Sequence, residues 1–235
     1  MAWNFFLEKE FYGDKSVVKN LSSVADQYFS SARPEVASMV PWGVERVLDV
    51  GCGFGGLAPL IRAREAQKIY GIEINPRASE QLKKAYDRFW IGDVETIDLS
   101  CEEMRFDCII FADVLEHLID PWGALKKYTQ YLAPNGVIVA SIPNVQNLGL
   151  IYRLLFQGLW TYSDSGLLDK THLRFFTRKE IEALFIDSEL KIELMSANRD
   201  QYSFLRSVIT AIPRLLIPDL EVCQFLIIAK KTNAI

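Results

Sequence analysis

The sequence predicts an α/β fold in which helices flank a mainly parallel, doubly wound sheet. Short runs of β-branched residues alternate with amphipathic segments along the 235-residue chain, and this alternation is typical of β-α-β units. Cap residues mark where the amphipathic segments begin and end. A composition of 50% hydrophobic and 24% charged residues is that of a globular protein, and it excludes a disordered or fibrous chain.

Five short apolar runs in series predict five strands of the sheet, because each run is short enough to be a single buried strand. Two later runs predict an antiparallel, hairpin-like pair near the end of the chain. The predicted strands cover residues 46–50, 68–74, 89–91, 106–112 and 136–141, followed by 189–195 and 221–230.

Three of the predicted helices begin at clear N-terminal signals. Asn75 and Asp120 are each followed by proline, the arrangement expected of an N-cap and the first helical position. Thr177 and Glu180 have the spacing of a capping box. These signals place helices after the second and fourth strands and before the sixth.

Two regions interrupt this alternation, and we interpret both as a cap over the ligand-binding side. The chain then divides into an N-terminal helical cap segment at 1–45 and one α/β domain at 46–235, with a cap insertion at about 145–175. A further apolar stretch at 204–217 is broken by Pro213. Three interpretations of it are open: a packed insertion, an oligomer contact that would form a homodimer, or a weak membrane-surface helix.

Charge and cysteine content exclude several classes of function. The net charge of −4 supplies no cationic field, so we expect no nucleic-acid partner. No apolar run approaches the ~18 residues of a membrane span, and the first ten residues carry acids where a signal peptide is basic, so we expect no transmembrane segment and a soluble, cytoplasmic protein. The four cysteines have neither metal-ligand nor disulfide spacing, so we expect reduced, packed thiols and no metal site.

The strongest chemical signal is a glycine-rich turn, Leu-Asp-Val-Gly-Cys-Gly-Phe-Gly-Gly at 48–56, which connects the first strand to a helix. Glycine lets the backbone approach a ligand because no Cβ intervenes. Gly51, Gly53 and Gly56 also match a dinucleotide fingerprint, with Glu73 near the distance expected of the ribose-binding acid. The glycines alone therefore leave the cofactor open.

Acidic residues narrow this choice. Asp49 lies two residues before Gly51, and Glu73, Asp93 and Asp113 each fall at or just beyond the carboxyl end of a predicted strand. Four carboxylates around one crevice would repel a pyrophosphate but attract a sulfonium with an ammonium group, by about 1 to 4 kcal/mol per close pair. This pattern favours S-adenosylmethionine, with Glu73 accepting hydrogen bonds from the ribose hydroxyls and Asp93 from the adenine amino group.

Five blocks in order resemble those of the class I S-adenosylmethionine-dependent methyltransferases, especially the ubiquinone-type small-molecule O-methyltransferases. The blocks are Val-Leu-Asp-Val-Gly-Cys-Gly-Phe-Gly at 47–55, Gly-Ile-Glu-Ile at 71–74, Gly-Asp-Val at 92–94, Phe-Ala-Asp-Val-Leu-Glu-His-Leu at 111–118 and Leu-Ala-Pro-Asn-Gly at 132–136. The resemblance implies a Rossmann-like domain whose doubly wound, seven-stranded sheet has the order 3-2-1-4-5-7-6 and an antiparallel last strand. It also implies S-adenosylmethionine as the donor and S-adenosylhomocysteine as the product.

The resemblance further implies which residues contact or frame the donor. They are Asp49, Gly51, Gly53, Glu73, Asp93, Val94 and Asp113, together with Cys52 and Ile74 inside the matching blocks. In related enzymes the segment ahead of the first strand often folds over the donor, so Arg33 is expected to pair with the donor carboxylate, the alternative being a solvated arginine. The alternatives for Asp93 and Asp113 are a turn former and a helix cap.

Two histidines, His117 and His172, fall where the acceptor would enter. An imidazole titrates near neutral pH, so either residue could take the proton of an acceptor hydroxyl. The alternatives are a packing role for His117 and a lid anchor around His172, tied down by Asp169 or Arg174. An aromatic set that could floor an acceptor pocket precedes His172: Tyr152, Phe156, Trp160 and Tyr162.

We therefore expect an enzyme that transfers a methyl group from S-adenosylmethionine to an oxygen atom of a small-molecule acceptor or of a sugar-containing glycan intermediate. Two other hypotheses stay open at this point. The glycine spacing also suits an NAD-dependent oxidoreductase, and a nucleoside-binding module without catalytic activity could keep the same pocket.

Overall fold

The computed structural model describes residues 32–100, 104–199 and 219–232, and these contain a single seven-stranded sheet of order β3-β2-β1-β4-β5-β7-β6. Strands β1 to β5 are parallel, whereas β7 runs antiparallel to both β5 and β6. The predicted sheet order and its antiparallel last strand are confirmed. The strands are β1 (Arg46–Val50), β2 (Lys68–Glu73), β3 (Arg88–Ile91), β4 (Phe106–Ala112), β5 (Leu132–Pro143), β6 (Leu190–Arg199) and β7 (Val222–Lys231).

Six helices connect these strands in the described part of the chain: α1 (Pro34–Ala37), α2 (Ala58–Ala63), α3 (Ser79–Ala85), α4 (Pro121–Thr129), α5 (Leu148–Gln157) and α6 (Arg178–Asp187). The predicted caps are present. The side chain of Asn75 accepts a hydrogen bond from Arg77 N at the short 3₁₀ turn before α3, and Asp120 accepts one from Gly123 N at the start of α4. Thr177 caps α6 through Glu180 N. These local signals therefore set where the helices begin.

Helices cover both faces of the sheet, which is why the strands are apolar on both sides. Buried residues of α4 and α6, such as Tyr128 and Phe185, pack against one face. Buried residues of α1, α2 and α3, such as Val36, Ile61 and Leu82, pack against the other. A parallel sheet with both faces covered is typical of doubly wound folds, and it brings the carboxyl ends of β1 to β4 to one edge.

The structure differs from the predicted elements mainly in β5. The predicted fifth strand covers residues 136–141, but β5 begins at Leu132 and passes through Pro134, Asn135 and Gly136. Asn135 has a φ of +67°, and the pairing with β4 shifts register near Phe106. β5 accommodates residues 134–136 as an irregularity, because its pairing with β4 continues on both sides of them, at Leu132 and at Val137.

Part of the predicted division of the chain falls on residues that the structure does not describe. Residues 1–31 and the apolar stretch 204–217 both lie outside the described ranges. Within 32–45, helix α1 packs on the sheet, and within 145–175, α5 is followed by an irregular segment. The boundaries of the cap segments stay a prediction. No helix in the described ranges has both the length and the apolar character that crossing a membrane requires.

Candidate active site

The glycine turn after β1 forms the floor of the candidate site. Gly51 and Gly53 have φ angles of +70° and +54°, which residues other than glycine rarely adopt. Gly51 N and Cys52 N both donate to Ile72 O, at 2.8 and 3.0 Å. A Cβ on Gly51 would lie 2.6 Å from Cγ2 of Val114. The bare backbone therefore lets the segment after β4 approach the turn closely.

Glu73, at the end of β2, points into this turn. Its side chain is buried, and its Oε2 accepts a hydrogen bond from Gly53 N at 2.8 Å while its Oε1 accepts one from Asn75 N at 2.8 Å. A carboxylate oxygen can accept two hydrogen bonds, so both oxygens keep acceptor capacity. The next residue, Ile74, is 65% exposed and presents an apolar surface beside the carboxylate.

Asp49 and Cys52 lie beneath the turn. Asp49 is 2% exposed and accepts a hydrogen bond from Tyr86 Oη at 2.6 Å. Burial, with a smaller contribution from nearby Glu73, raises the pKa of Asp49 to about 7 despite the opposing effect of the Tyr86 hydrogen bond. Burial likewise raises the pKa of the Cys52 thiol above its usual range. The sequence placed Asp49 on the crevice rim, but packing around β1 covers it.

The loop after β3 carries Asp93 and Val94. Oδ1 of Asp93 accepts a hydrogen bond from Glu95 N at 2.8 Å. Asp93 is therefore a turn former, which was the alternative to ligand contact in the sequence analysis. Val94 is buried, and its carbonyl accepts hydrogen bonds from Tyr128 Oη at 3.1 Å and Lys127 Nζ at 3.2 Å. Forming a turn does not exclude contact with a ligand, because Asp93 has a second carboxylate oxygen.

Arg33 and Asp113 form an ion pair at the carboxyl end of β4. Asp113 has a φ of +56°, and its Oδ1 also accepts hydrogen bonds from Ser141 Oγ at 2.9 Å and from the amide of Gln224. Arg33 donates to Gln224 Oε1 at 2.6 Å and, through Nε, to Glu35. Arg33 is therefore held in a network, and Asp113 is neutralised by it instead of capping a helix among the described residues.

The two histidines lie together. Their ring centroids are 4.7 Å apart in an edge-to-face arrangement. His117 Nδ1 lies 3.2 Å from Thr171 O and 3.0 Å from Thr171 Oγ1, and His172 Nδ1 lies 3.2 Å from Leu167 O. A carbonyl oxygen only accepts, so each neutral ring carries its proton on Nδ1 and leaves the Nε2 lone pair for a ligand. Burial lowers the pKa of both rings, and for His172 the nearby His117 adds to this effect.

Glu116 completes this cluster, and the sequence analysis missed it. Its side chain is 1% exposed, and neither carboxylate oxygen has a hydrogen-bond partner within the described residues. Burial raises its pKa to about 8. Ligand atoms of Glu116, His117 and His172 all lie within 4.8 Å of one another. One carboxyl and two imidazoles suit a divalent cation, a possibility that cysteine spacing could not reveal.

An irregular segment, which we call the strap (residues 167–176), holds His172 in place. Leu173 N and Arg174 N donate to Glu116 O at 2.8 and 2.9 Å, and the Arg174 guanidinium donates to Ile119 O. Oδ1 of Asp169 accepts from both the amide and the hydroxyl of Thr171, at 2.8 and 2.6 Å. Arg174 therefore anchors the strap to the segment after β4, whereas Asp169 shapes the strap from within.

Only part of the predicted aromatic set lies beside the histidines. Phe175 lies edge-on to Trp160 at 5.5 Å between ring centroids, 6.5 Å from Tyr162 and 6.4 Å from His172. Tyr152 instead pairs with Phe156 on α5, where Phe156 is 75% exposed. The aromatic surface next to the cluster thus includes Phe175, which follows the strap histidine in sequence and was not singled out.

Comparisons with known proteins agree on the kind of domain. The model of the methyltransferase domain family matches residues 20–194, which is more than half of the chain. Ubiquinone biosynthesis O-methyltransferase of Cereibacter sphaeroides is 28% identical over 131 residues, 53% of this chain and 51% of that protein. The one of Psychrobacter cryohalolentis is 28% identical over 173 residues, 69% of this chain and 65% of that protein. The chain thus spans about half the length of the first curated relatives it matches.

Solved structures show the same fold at low sequence identity. The CcbJ methyltransferase of Streptomyces caelestis superposes with a TM-score of 0.61 at 14% identity, covering 88% of this chain and 96% of that one. Magnesium protoporphyrin IX methyltransferase of Synechocystis PCC 6803, solved with bound S-adenosylhomocysteine, gives a TM-score of 0.57 at 17% identity, covering 98% and 95%. At these identities the likeness extends to the fold.

Proposed function

This chain belongs to the methyltransferase domain family, as a class I member that uses S-adenosylmethionine, and on that premise we propose that it transfers a methyl group to an oxygen atom of a small-molecule acceptor. Hydroxyl groups of a sugar-containing intermediate fall within this acceptor class. The observation that carries the proposal is the cluster of Glu116 and His172, which are buried, with the half-buried His117. Glu116 and His117 come just after Val114, whose side chain would collide with a Cβ on Gly51 of the glycine turn.

The donor half of the proposal is supported by groups around the glycine turn. Gly51 leaves open backbone where a Cβ would collide. Glu73 keeps acceptor capacity for the ribose hydroxyls, and Ile74 offers an exposed apolar surface for the adenine ring. The Arg33–Asp113 pair presents opposite charges that match the carboxylate and ammonium groups of the methionine part of the donor. These residues fit a zwitterionic nucleoside.

The acceptor half is supported by the protonation state of the histidines. In the transfer, the acceptor oxygen bonds to the methyl carbon while the carbon–sulfur bond breaks, and that electron pair stays on sulfur as S-adenosylhomocysteine. The hydroxyl proton goes to Nε2 of His117 or His172. Because burial lowers both pKa values, the rings are neutral near pH 7, which is the form that can accept a proton.

The same cluster supports a second route for activating the hydroxyl. A divalent cation held by Glu116, His117 and His172 would supply Lewis-acid assistance, because it lowers the pKa of a coordinated hydroxyl. Each Nδ1–H engaged with a carbonyl orients its Nε2, as is usual for histidine ligands. A buried carboxyl without a hydrogen-bond partner is costly, and a cation would offset that cost.

The donor site is tested by calorimetry with S-adenosylhomocysteine and NAD. We expect the sulfur nucleoside to bind and NAD to give no heat. Glu73→Ala should weaken binding by about 1.5 to 3 kcal/mol, because charge-assisted hydrogen bonds are lost. The matched control is Glu80→Ala, an exposed glutamate paired with Lys83 on α3, which should leave the affinity unchanged. Tight NAD binding without a response to the nucleoside would favour the oxidoreductase hypothesis instead.

The acceptor cluster is tested by methyl transfer from S-adenosylmethionine to catechol, used as a hydroxyl probe. His117→Ala and His172→Ala should bind S-adenosylhomocysteine normally but lose about 10²- to 10⁴-fold in turnover. Inhibition by EDTA that Mg²⁺ or Mn²⁺ reverses would identify the cation-assisted route, and resistance to EDTA the direct one. Asp164→Ala, an exposed carboxylate paired with Lys170, serves as control. Full turnover in both histidine variants would refute a role for the cluster.

A further inference from the structure

Glu95 makes hydrogen bonds to the donor loop after β3 and to the short segment that follows His117. Its backbone N–H belongs to the turn that carries Asp93, whereas its carboxylate crosses to the segment after His117. We propose that Glu95 is a positioning residue that couples donor binding at Asp93 to the placement of His117 and His172. This inference rests on the proposed function, because it takes the donor and acceptor sites from it.

On the donor side, Glu95 orients the side chain of Asp93. Glu95 N donates to Asp93 Oδ1 at 2.8 Å. The same loop is held by Lys127, whose Nζ donates to the carbonyls of Val94 and Glu95 at 3.2 and 3.3 Å. A shift of Asp93 toward an adenine ring therefore moves Glu95 with it, because the turn is fixed by bonds on both sides.

On the acceptor side, the Glu95 carboxylate accepts two backbone hydrogen bonds. Ile119 N lies 3.0 Å from Oε2, and Asp120 N lies 2.7 Å from Oε1, directly ahead of α4. Charge-assisted hydrogen bonds of this kind are among the stronger ones, and a negative group is favoured near the N-terminus of a helix. Glu95 thus holds the C-terminal end, Ile119 and Asp120, of the segment that begins with Glu116 and His117.

The same segment holds the strap. Ile119 O accepts from the Arg174 guanidinium, and Glu116 O accepts from Leu173 N and Arg174 N. His172 precedes these residues directly. A continuous series of hydrogen bonds therefore runs from Asp93 through Glu95 and Ile119 to the strap, and Glu95 supplies the step between the donor loop and the acceptor side.

Amide hydrogen exchange with and without saturating S-adenosylhomocysteine tests this coupling. In the wild-type protein we expect the nucleoside to slow exchange both at 51–53 and at 171–174 in the strap. In Glu95→Ala the slowing at 51–53 should persist, while the slowing at 171–174 should be lost. The affinity for the nucleoside should fall by less than about tenfold, because the direct ligands remain.

A merely structural role predicts a different result, since it would speed exchange in the strap of Glu95→Ala equally with and without the nucleoside. Asp98→Ala is the matched control, because Asp98 is a carboxylate of the same loop that bonds only to nearby Ser100 among the described residues. It should keep the slowing in the strap. Glu95→Gln keeps one acceptor oxygen and should retain part of it.

Two outcomes would overturn the coupling. One is equal slowing of strap exchange in Glu95→Ala and wild type, and the other is no slowing of strap exchange in the wild type despite nucleoside binding. If wild-type protein does not bind S-adenosylhomocysteine at all, the proposed function itself fails and the coupling fails with it. Calorimetry on the same samples separates these cases.

Discussion

The carboxyl group of Asp49 illustrates how burial changes what an acidic residue contributes to this site. It lies under the glycine turn, where Tyr86 donates its hydrogen bond, and its pKa of about 7 leaves it partly protonated at neutral pH. Asp113 is neutralised by Arg33. Burial of Asp49 and the pairing of Asp113 with Arg33 therefore weaken the negative field that the sequence suggested for four carboxylates.

The raised pKa of Asp49 makes stability depend on pH. Between the unfolded value of 3.8 and about 7, the folded protein binds a proton that the unfolded chain releases, so the free energy of unfolding falls as pH rises through this window. Urea denaturation from pH 5 to pH 7 measures the free energy of unfolding. We expect the value for Asp49→Asn to rise relative to that of the wild type by up to about 1.4 kcal/mol per pH unit, because the amide does not ionise. Above this window the difference should be constant.

Asp164→Asn serves as the control for this titration, because Asp164 lies exposed beside Lys170. Its unfolding free energy should follow that of the wild type across the same pH range. Glu116, which is also buried, titrates in all of these proteins and cancels from the comparison. Parallel curves for Asp49→Asn and wild type would contradict a raised pKa at position 49.

At the scale of elements, strand ends position the site more than helices do. The turn after β4 brings Glu116 and His117 over the sheet edge, and the end of β5 connects to the strap through a bridge between Asn144 and Phe176. The place of Asn144 directly after β5 would suit a side-chain contact with the substrate or the strap. Its amide instead donates to Asp219 O and Val222 O, both at 2.9 Å, so it ties the end of β5 to the start of β7.

Asn144→Ala should lower the free energy of unfolding by about 2 to 4 kcal/mol, because it removes the hydrogen bonds that a fully buried side chain makes to three backbone groups. Asn144 is fully buried, and its Oδ1 also accepts from Gln146 N at 3.0 Å. Chemical denaturation measures the change. Asn198→Ala, an exposed asparagine on β6, should change stability by less than about 0.5 kcal/mol. Equal stability of the two variants would show that the Asn144 bonds contribute little.

At the scale of the whole molecule, the order of the strands assembles the site. A doubly wound sheet brings the ends of β1, β2, β3 and β4 to one edge, so the glycine turn, Glu73, Asp93 and Asp113 gather there although they are spread along the chain. Family membership explains why the five sequence blocks predicted this arrangement. The acceptor side has no such repeated pattern, because it is built from the strap and from one turn.

Short-range signals located the strands, the helix starts and the glycine turn, although not the ends of β5 and β6, because caps, prolines and glycines act within a few residues of the chain. Contacts between distant segments needed the folded chain: the pairing of Arg33 with Asp113, the burial of Asp49, and the meeting of Glu116 and His117 with His172. Burial and charge pairing depend on which distant segments the sheet brings together, and no local pattern of residues encodes which segments will meet.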